Sequence, residues 1–78
     1  MRIDKFLKVS RVIKRRTVAN EAADTGRISV NGKVVKASYE VKVGDVIEIK
    51  FGDKTSKFEI IQIPKVTGKD MPELIKLL

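Results

Sequence analysis

The chain has 78 residues, of which 42% are apolar and 35% charged, a composition typical of one small globular domain in water. Because it contains neither cysteine nor histidine, disulfides, nucleophile–imidazole pairs and most transition-metal sites are excluded. Its net charge of +7 points to polyanionic partners, and no apolar run approaches the roughly 20 residues that cross a bilayer, so we expect a cytoplasmic protein without membrane contact.

The positive charge is concentrated at the beginning of the chain. Residues 1–16 hold seven basic residues against one acid, Asp4, which is a surplus of six out of the total of seven. The seven are Arg2, Lys5, Lys8, Arg11, Lys14, Arg15 and Arg16. Such a cluster is typical of nucleic-acid binding. A basic helix that lies on a membrane or on an acidic protein is the alternative, but its usual long apolar face is reduced here to Ile3, Phe6 and Leu7.

Two short helices are predicted in the first third of the chain. Apolar residues at helical spacing favour a first helix of about two turns, with Asp4 as its capping residue. Residues 10–16 connect it to a second helix, for which Thr17 is a suitable N-cap and which runs to about Thr25. Gly26 then stands where a left-handed residue commonly ends a helix. We expect the helix pair to hold the basic side chains on its solvent side.

From residue 27 onward the apolar period changes to two, which indicates strands. Asn31 and Gly32 form the strongest short hairpin signal, with strands on either side of them. Further strands are predicted over residues 46–51, where Ile47, Ile49 and Phe51 share a face, and over residues 57–63.

The last fifteen residues are predicted to leave this sheet. Residues 65–69 are polar, and residues 70–73 resemble a helix start, so we expect a short C-terminal helix up to Leu78. The predicted organisation is one domain over residues 1–63, followed by a linker and short helix over residues 64–78. The fold class is α+β, with two N-terminal helices packed on a small, mostly antiparallel, curved β-sheet.

Aromatic residues are few in this chain. Phe6, Phe51 and Phe58 fall on apolar faces of the predicted elements, and only Tyr39 is a candidate for exposure. Stacking of bases on an aromatic platform is therefore not expected as the main mode of binding. Recognition should rest on the shape and the phosphates of the nucleic acid.

Several short motifs at fixed spacing run through residues 1–51. They are Arg2-Ile3-Asp4-x-x-Leu7, Ser10-Arg11, Arg16-Thr17-x-Ala19, Gly26, Ile28-x-Val30-Asn31-Gly32 and Gly44-Asp45. These motifs resemble the S-four RNA-binding domain, named after the fourth protein of the small ribosomal subunit. Within that family the chain is more similar to the stand-alone heat-shock-protein-fifteen type, and most similar to the short bacterial ribosome-associated quality-control factors.

The resemblance also implies where in the cell's translation machinery the protein acts. Such factors act on the large ribosomal subunit that carries a stranded peptidyl-tRNA, where they contact ribosomal RNA and tRNA and cooperate with the alanine-tailing quality-control protein. The resemblance thus implies a non-catalytic factor, and we expect a monomer. A general rRNA-binding role in ribosome assembly, or in heat-shock recycling of large subunits, is the alternative. An enzyme is not expected, because the ten acids are scattered and the residues after Phe51 are too few for a catalytic domain.

The candidate RNA-binding residues are mainly the N-terminal cations. They are Arg2, Lys5, Lys8, Arg11, Lys14, Arg15, Arg16 and Thr17, with Arg27, Lys33 and Lys36 as an extension beside the hairpin. Arg16 is the strongest candidate because it enters the second helix, although it could instead pair with Glu21 or Asp24. Asp4 either caps the first helix or orients Arg2, and Asn31 is a turn residue rather than a reader of bases.

Overall fold

Two helices and five strands make up the part of the chain that the computed structural model describes, residues 1–63 and 74–78. The elements are α1 (Ile3–Val9), α2 (Arg16–Asp24), β1 (Ile28–Val30), β2 (Lys33–Val34), β3 (Val46–Phe51), β4 (Lys54–Ile60) and β5 (Ile75–Leu77). The strands form one sheet in the order β2-β1-β3-β4-β5, and every neighbouring pair is antiparallel. The predicted α+β class, with two helices on an antiparallel sheet, is confirmed. Neither helix of the described residues is long and apolar enough to cross a membrane.

The two helices bury the residues that the 3.6-residue period selects. Ile3, Phe6 and Leu7 of α1 are completely inaccessible to solvent, and three alanines of α2 pack beside them in the core. Alanines at this position allow two helices to approach closely. Val18 of the same helix lies outside the core and is 41% exposed.

Neither of the two predicted residues, Asp4 and Thr17, is the N-cap of its helix. The N-cap of α2 is Arg15 in extended conformation, whose carbonyl accepts hydrogen bonds from the N–H groups of Val18 and Ala19. The hydrogen-bond ladder therefore starts two residues before Thr17, which lies inside the first turn. The N-cap of α1 is Arg2, and Asp4 accepts a bond from the Lys5 N–H within the first turn instead of capping.

The β1–β2 turn has the predicted form. Asn31 and Gly32 both have positive φ, 51° and 85°, as the tight hairpin turn requires. The Asn31 side chain accepts a hydrogen bond from the Val46 N–H at 3.0 Å and donates one to Asp45 at 3.1 Å. Asn31 thus fixes the turn to the start of β3, as a turn residue should.

The aromatic residues differ from the prediction at two positions. Tyr39 is half-buried, and its hydroxyl donates to Asp45 Oδ2 at 3.0 Å. Burial, and then this bond and the negative charge of Asp45, raise the pKa of Tyr39. Phe51 shares the core face of β3 but lies beyond the end of the core, and 39% of it is exposed.

The C-terminal residues form a strand where a helix was predicted. In β5, Ile75 pairs with Ile60 and Leu77 with Phe58. Hydrogen bonds from Ile61 N–H to the Leu74 carbonyl and from Leu78 N–H to the Lys57 carbonyl, both 3.0 Å, extend the pairing. The free edge of β4 offers unpaired backbone groups, and pairing satisfies them better than a few residues of helix could. The predicted linker and helix start, residues 64–73, lie outside the described residues.

Candidate nucleic-acid interface

All eleven candidate residues lie exposed on the surface. They come from two stretches of the sequence, one that ends in the first turn of α2 and one that follows α2. Arg2, Lys5, Lys8, Arg11, Lys14, Arg15, Arg16 and Thr17 belong to α1, the connection and the start of α2. Arg27, Lys33 and Lys36 follow the end of α2. Lys36 precedes Ala37, whose carbonyl accepts the Asp4 N–H at 3.4 Å, so Lys36 lies close to the start of α1.

The buried carboxylate of Asp4 joins the two ends of the basic segment, residues 2–16. Asp4 is only 2% exposed, and four donors surround its two oxygens. Arg16 Nε lies 3.1 Å from Oδ2, and Asn20 Nδ2 donates to the same oxygen at 3.5 Å. Arg2 Nε lies 3.5 Å from Oδ1, which also accepts the Lys5 N–H at 2.8 Å. Asp4 therefore holds the two arginines beside each other, although they are 14 positions apart in the sequence.

The protonation of Asp4 follows from these contacts. Burial acts to raise the pKa of Asp4, but the hydrogen bonds from Arg16 and Lys5, the charge of Arg16 and the bond from Asn20 outweigh burial and lower the pKa below its usual value. The carboxylate is thus charged at neutral pH, and its two ion pairs persist there. These are the only ion pairs within residues 1–63 and 74–78, and the alternative pairing of Arg16 with Glu21 or Asp24 is not observed there.

The arginine pair lies at one end of an open groove of about 440 Å³. Its lining residues are Arg2, Asp4, Arg16, Thr17, Asn20, Glu21 and Asp24. The cations lie at the start of α2 and the acid Asp24 at its end, so an anion is attracted to one end and repelled from the other. Asn20 was missed by the sequence analysis, and its signal is its position four residues after Arg16, on the same helical face.

The connection between the helices contains a strained residue. Arg11 has a φ of 64°, in the left-handed region that glycine adopts without penalty. Its N–H donates to the Lys8 carbonyl at 3.0 Å, so the residue reverses the chain directly after α1. A glycine would fit this backbone better. The left-handed backbone conformation costs about 1–2 kcal/mol for an arginine.

The sequence matches a known family and several named relatives. The model of the S4 domain matches residues 1–47, which is more than half of the chain. The chain is 53% identical to the RQC P-site tRNA stabilizing factor of Streptococcus pneumoniae, over 90% of this chain and 80% of that protein. For the factor of the same name from Bacillus subtilis the identity is 53%, over 90% of this chain and 81% of that one.

Two solved structures have the same fold. Heat Shock Protein 15 of Vibrio cholerae, described as trimeric, superposes with a TM-score of 0.87 at 25% identity, over all of this chain and 81% of that one. The solution structure of the protein HP1423 gives a TM-score of 0.82 at 37% identity, over all of this chain and 96% of that one. The chain therefore belongs to the S4-domain family, in the group of the RQC P-site tRNA stabilizing factors.

Proposed function

We propose that this protein is a non-catalytic RNA-binding factor that acts on the large ribosomal subunit in ribosome-associated quality control. It binds ribosomal RNA and the peptidyl-tRNA that stays on the stalled subunit. The names of its relatives support this function. The structural observation that carries it is the exposed row of basic residues in α1 and at the start of α2, with Arg2 and Arg16 anchored on one buried carboxylate.

The geometry of this pair suits phosphate binding. Asp4 contacts Arg2 and Arg16 through Nε, and both side chains remain nearly half exposed, 48% and 45%. A guanidinium that is held by one nitrogen can use its other donors for two oxygens of one phosphate. Because the orientation is fixed before binding, less side-chain entropy is lost on contact with RNA.

The finer assignments are part of the same proposal. The protein cooperates with the alanine-tailing quality-control protein, works in the cytoplasm and is a monomer, since a net charge of +7 opposes self-association. The proposed RNA-binding residues are the eleven candidates named above. Thr17 is included because it is exposed and lines the groove beside Arg16.

A second candidate function is a general rRNA-binding role in ribosome assembly or in heat-shock recycling of large subunits. The observation that favours it is the likeness to Heat Shock Protein 15. Large subunits purified through this protein distinguish the two. Quality control predicts that they contain tRNA and a nascent chain, whereas the second function predicts immature or empty subunits.

Binding to ribosomal RNA is expected to weaken steeply with salt. If the basic segment neutralises five to seven phosphates, the slope of log affinity against log salt concentration should be about −4 to −6. Titration of fluorescent rRNA fragments with the protein at several salt concentrations measures this slope. A flat response would contradict the proposed mode of binding.

Replacement of Arg11 with glycine is expected to separate stability from binding. Relief of the positive φ should stabilise the fold by about 1–2 kcal/mol, and the added freedom of the unfolded chain should offset roughly half of that. The free energy of unfolding should therefore rise by about 0.5–1 kcal/mol. RNA affinity should fall, and the salt slope should become shallower by about one.

Lys14→Gly is the matched control for this experiment. It removes the same charge from the same connection, but Lys14 has no positive φ to relieve. It should weaken RNA binding without raising the free energy of unfolding, as measured by urea denaturation. If Arg11→Gly leaves RNA affinity unchanged, Arg11 does not contact RNA.

A further inference from the structure

An exposed aromatic ring lies at the tip of the β3–β4 hairpin. All four aromatic residues of the chain lie within the described residues, and Phe51 alone among them is exposed. The core face of β3 ends with Ile49, which is completely buried, so Phe51 continues that face past the end of the core. The ring is thus open to a partner on one side.

Three basic residues lie at the same tip as this ring. Phe51 lies opposite Lys54 in the ladder, and alternation of side chains places both on one face of the hairpin. The Lys50 side chain lies on the other face, and the Lys50 N–H donates in the plane of the sheet to the Arg27 carbonyl at 2.9 Å. Lys50, Lys54 and Arg27 are all exposed, and none of them forms an ion pair within the described residues.

A tight turn joins the two strands at this tip. Gly52 and Asp53 form a two-residue connection, and Gly52 has the positive φ of 55° that such a turn requires at its first position. Asp53 is the one acid at the tip, against three cations. An exposed aromatic ring with Lys54 on its own face and Lys50 on the other fits an unpaired nucleobase, because the ring stacks on the base while the cations bind the adjacent phosphates.

We propose that the tip of the β3–β4 hairpin, residues 50–54, with Arg27, is a second RNA contact that binds single-stranded RNA by stacking a base on Phe51. Arg27, the residue of this contact nearest to α2 in the sequence, follows a helix whose nine residues span about 13 Å from Arg16. This second contact rests on the proposed function, RNA binding, and adds an unpaired segment to the ligand. The helix pair binds phosphates, and the hairpin tip holds an exposed base.

Phe51→Trp provides a direct probe, because the chain contains no tryptophan. Titration of this full-length variant with a short single-stranded oligoadenylate should quench the tryptophan fluorescence in a saturable way. A duplex RNA of the same length and heparin carry the phosphate or sulfate charge without accessible base faces, and should quench it much less. Equal quenching by all three, or none by the oligoadenylate, would overturn the proposal.

Phe51→Leu tests the contribution of the ring to affinity. Loss of one stacked base should weaken binding of the oligoadenylate by roughly fivefold to a hundredfold and leave duplex binding nearly unchanged. Val43→Ala is the control, since Val43 is 63% exposed and precedes β3 at the opposite end of the strand. It should bind both RNAs like the parent protein, and both variants should melt within a few degrees of it.

Two failures can be told apart by the same titrations. If the unchanged protein binds neither the oligoadenylate nor ribosomal RNA, the proposed function itself fails. If it binds both and Phe51→Leu binds the oligoadenylate equally well, only the second contact is overturned. If Phe51→Leu loses binding to a protein of the quality-control machinery and not to RNA, the hairpin tip is a protein contact and the proposal is also wrong.

Discussion

Large ribosomal subunits should no longer retain the protein when Arg15 and Arg16 are both replaced with alanine. The two residues are exposed at the start of α2, where the N-terminal amides of the helix add to the positive potential. Each lost phosphate contact should cost about 1–1.5 kcal/mol, so the affinity should fall about 30-fold to 150-fold. The salt slope should become shallower by about two.

Co-sedimentation with large subunits at physiological salt measures this loss. Lys42→Ala with Lys76→Ala is the matched control, because it removes two exposed cations from the sheet region and gives the same net charge. That variant should still sediment with the subunits. Equal loss in both double variants would mean that only the total charge matters, and the proposed interface would then be wrong.

Arg16→Lys separates charge from geometry at the same position. Lysine retains the positive charge but has no Nε–H to donate to Asp4 and no planar fork for phosphate. We expect its affinity to lie between that of the parent protein and that of the double alanine variant. An affinity equal to that of the parent would show that Arg16 acts only as a point charge.

The sequence predicts those parts of the fold that depend on neighbouring residues. The first helix follows from the helical spacing of Ile3, Phe6 and Leu7. The first hairpin follows from Asn31 and Gly32, because these residue types favour the positive φ of a tight turn. The motifs over residues 1–51 also predict the family correctly.

Long-range contacts account for the features that the sequence analysis missed. Local signals favoured a helix at the C-terminus, but residues 75–77 pair with β4, whose free edge lies far away in the sequence. Alternation places Phe51 on the core face, yet it cannot tell that the core ends at Ile49. For Asp4, a cap or a partner of Arg2 was expected. Its contact with Arg16 depends on the packing of α1 against α2, which spacing alone does not determine.

The largest effect on stability is expected for Asp4→Asn, which keeps the shape of the side chain and removes its charge. An amide turns one acceptor oxygen into a donor, which then faces the Arg16 Nε–H or the Lys5 N–H. Since Arg2 and Arg16 are nearly half exposed, water can solvate them. The cost should therefore be about 1–3 kcal/mol rather than the 3–5 kcal/mol of a fully buried pair.

This cost is measurable by thermal unfolding and has a defined pH dependence. Each kcal/mol should lower the melting temperature by about 4–8 °C in a domain of this size. Because the pKa of Asp4 is lowered in the folded protein, its contribution is present above the usual value of 3.8 and is lost as the pH falls through the folded-state pKa. The difference in stability between the parent protein and Asp4→Asn should thus shrink in acid.

RNA affinity provides the decisive comparison, because charge and geometry predict opposite changes in affinity when Asp4 is replaced. Asp4→Asn raises the net charge of +7 by one, and Asp24→Asn in the same groove raises it equally. If charge alone governs binding, both variants should bind RNA as tightly as the parent protein or more tightly. If Asp4 orients the arginines, release of the two side chains should cost about 0.5–1.5 kcal/mol each. Asp4→Asn should then bind about tenfold more weakly, while Asp24→Asn does not, and tighter binding by Asp4→Asn would refute the orienting role.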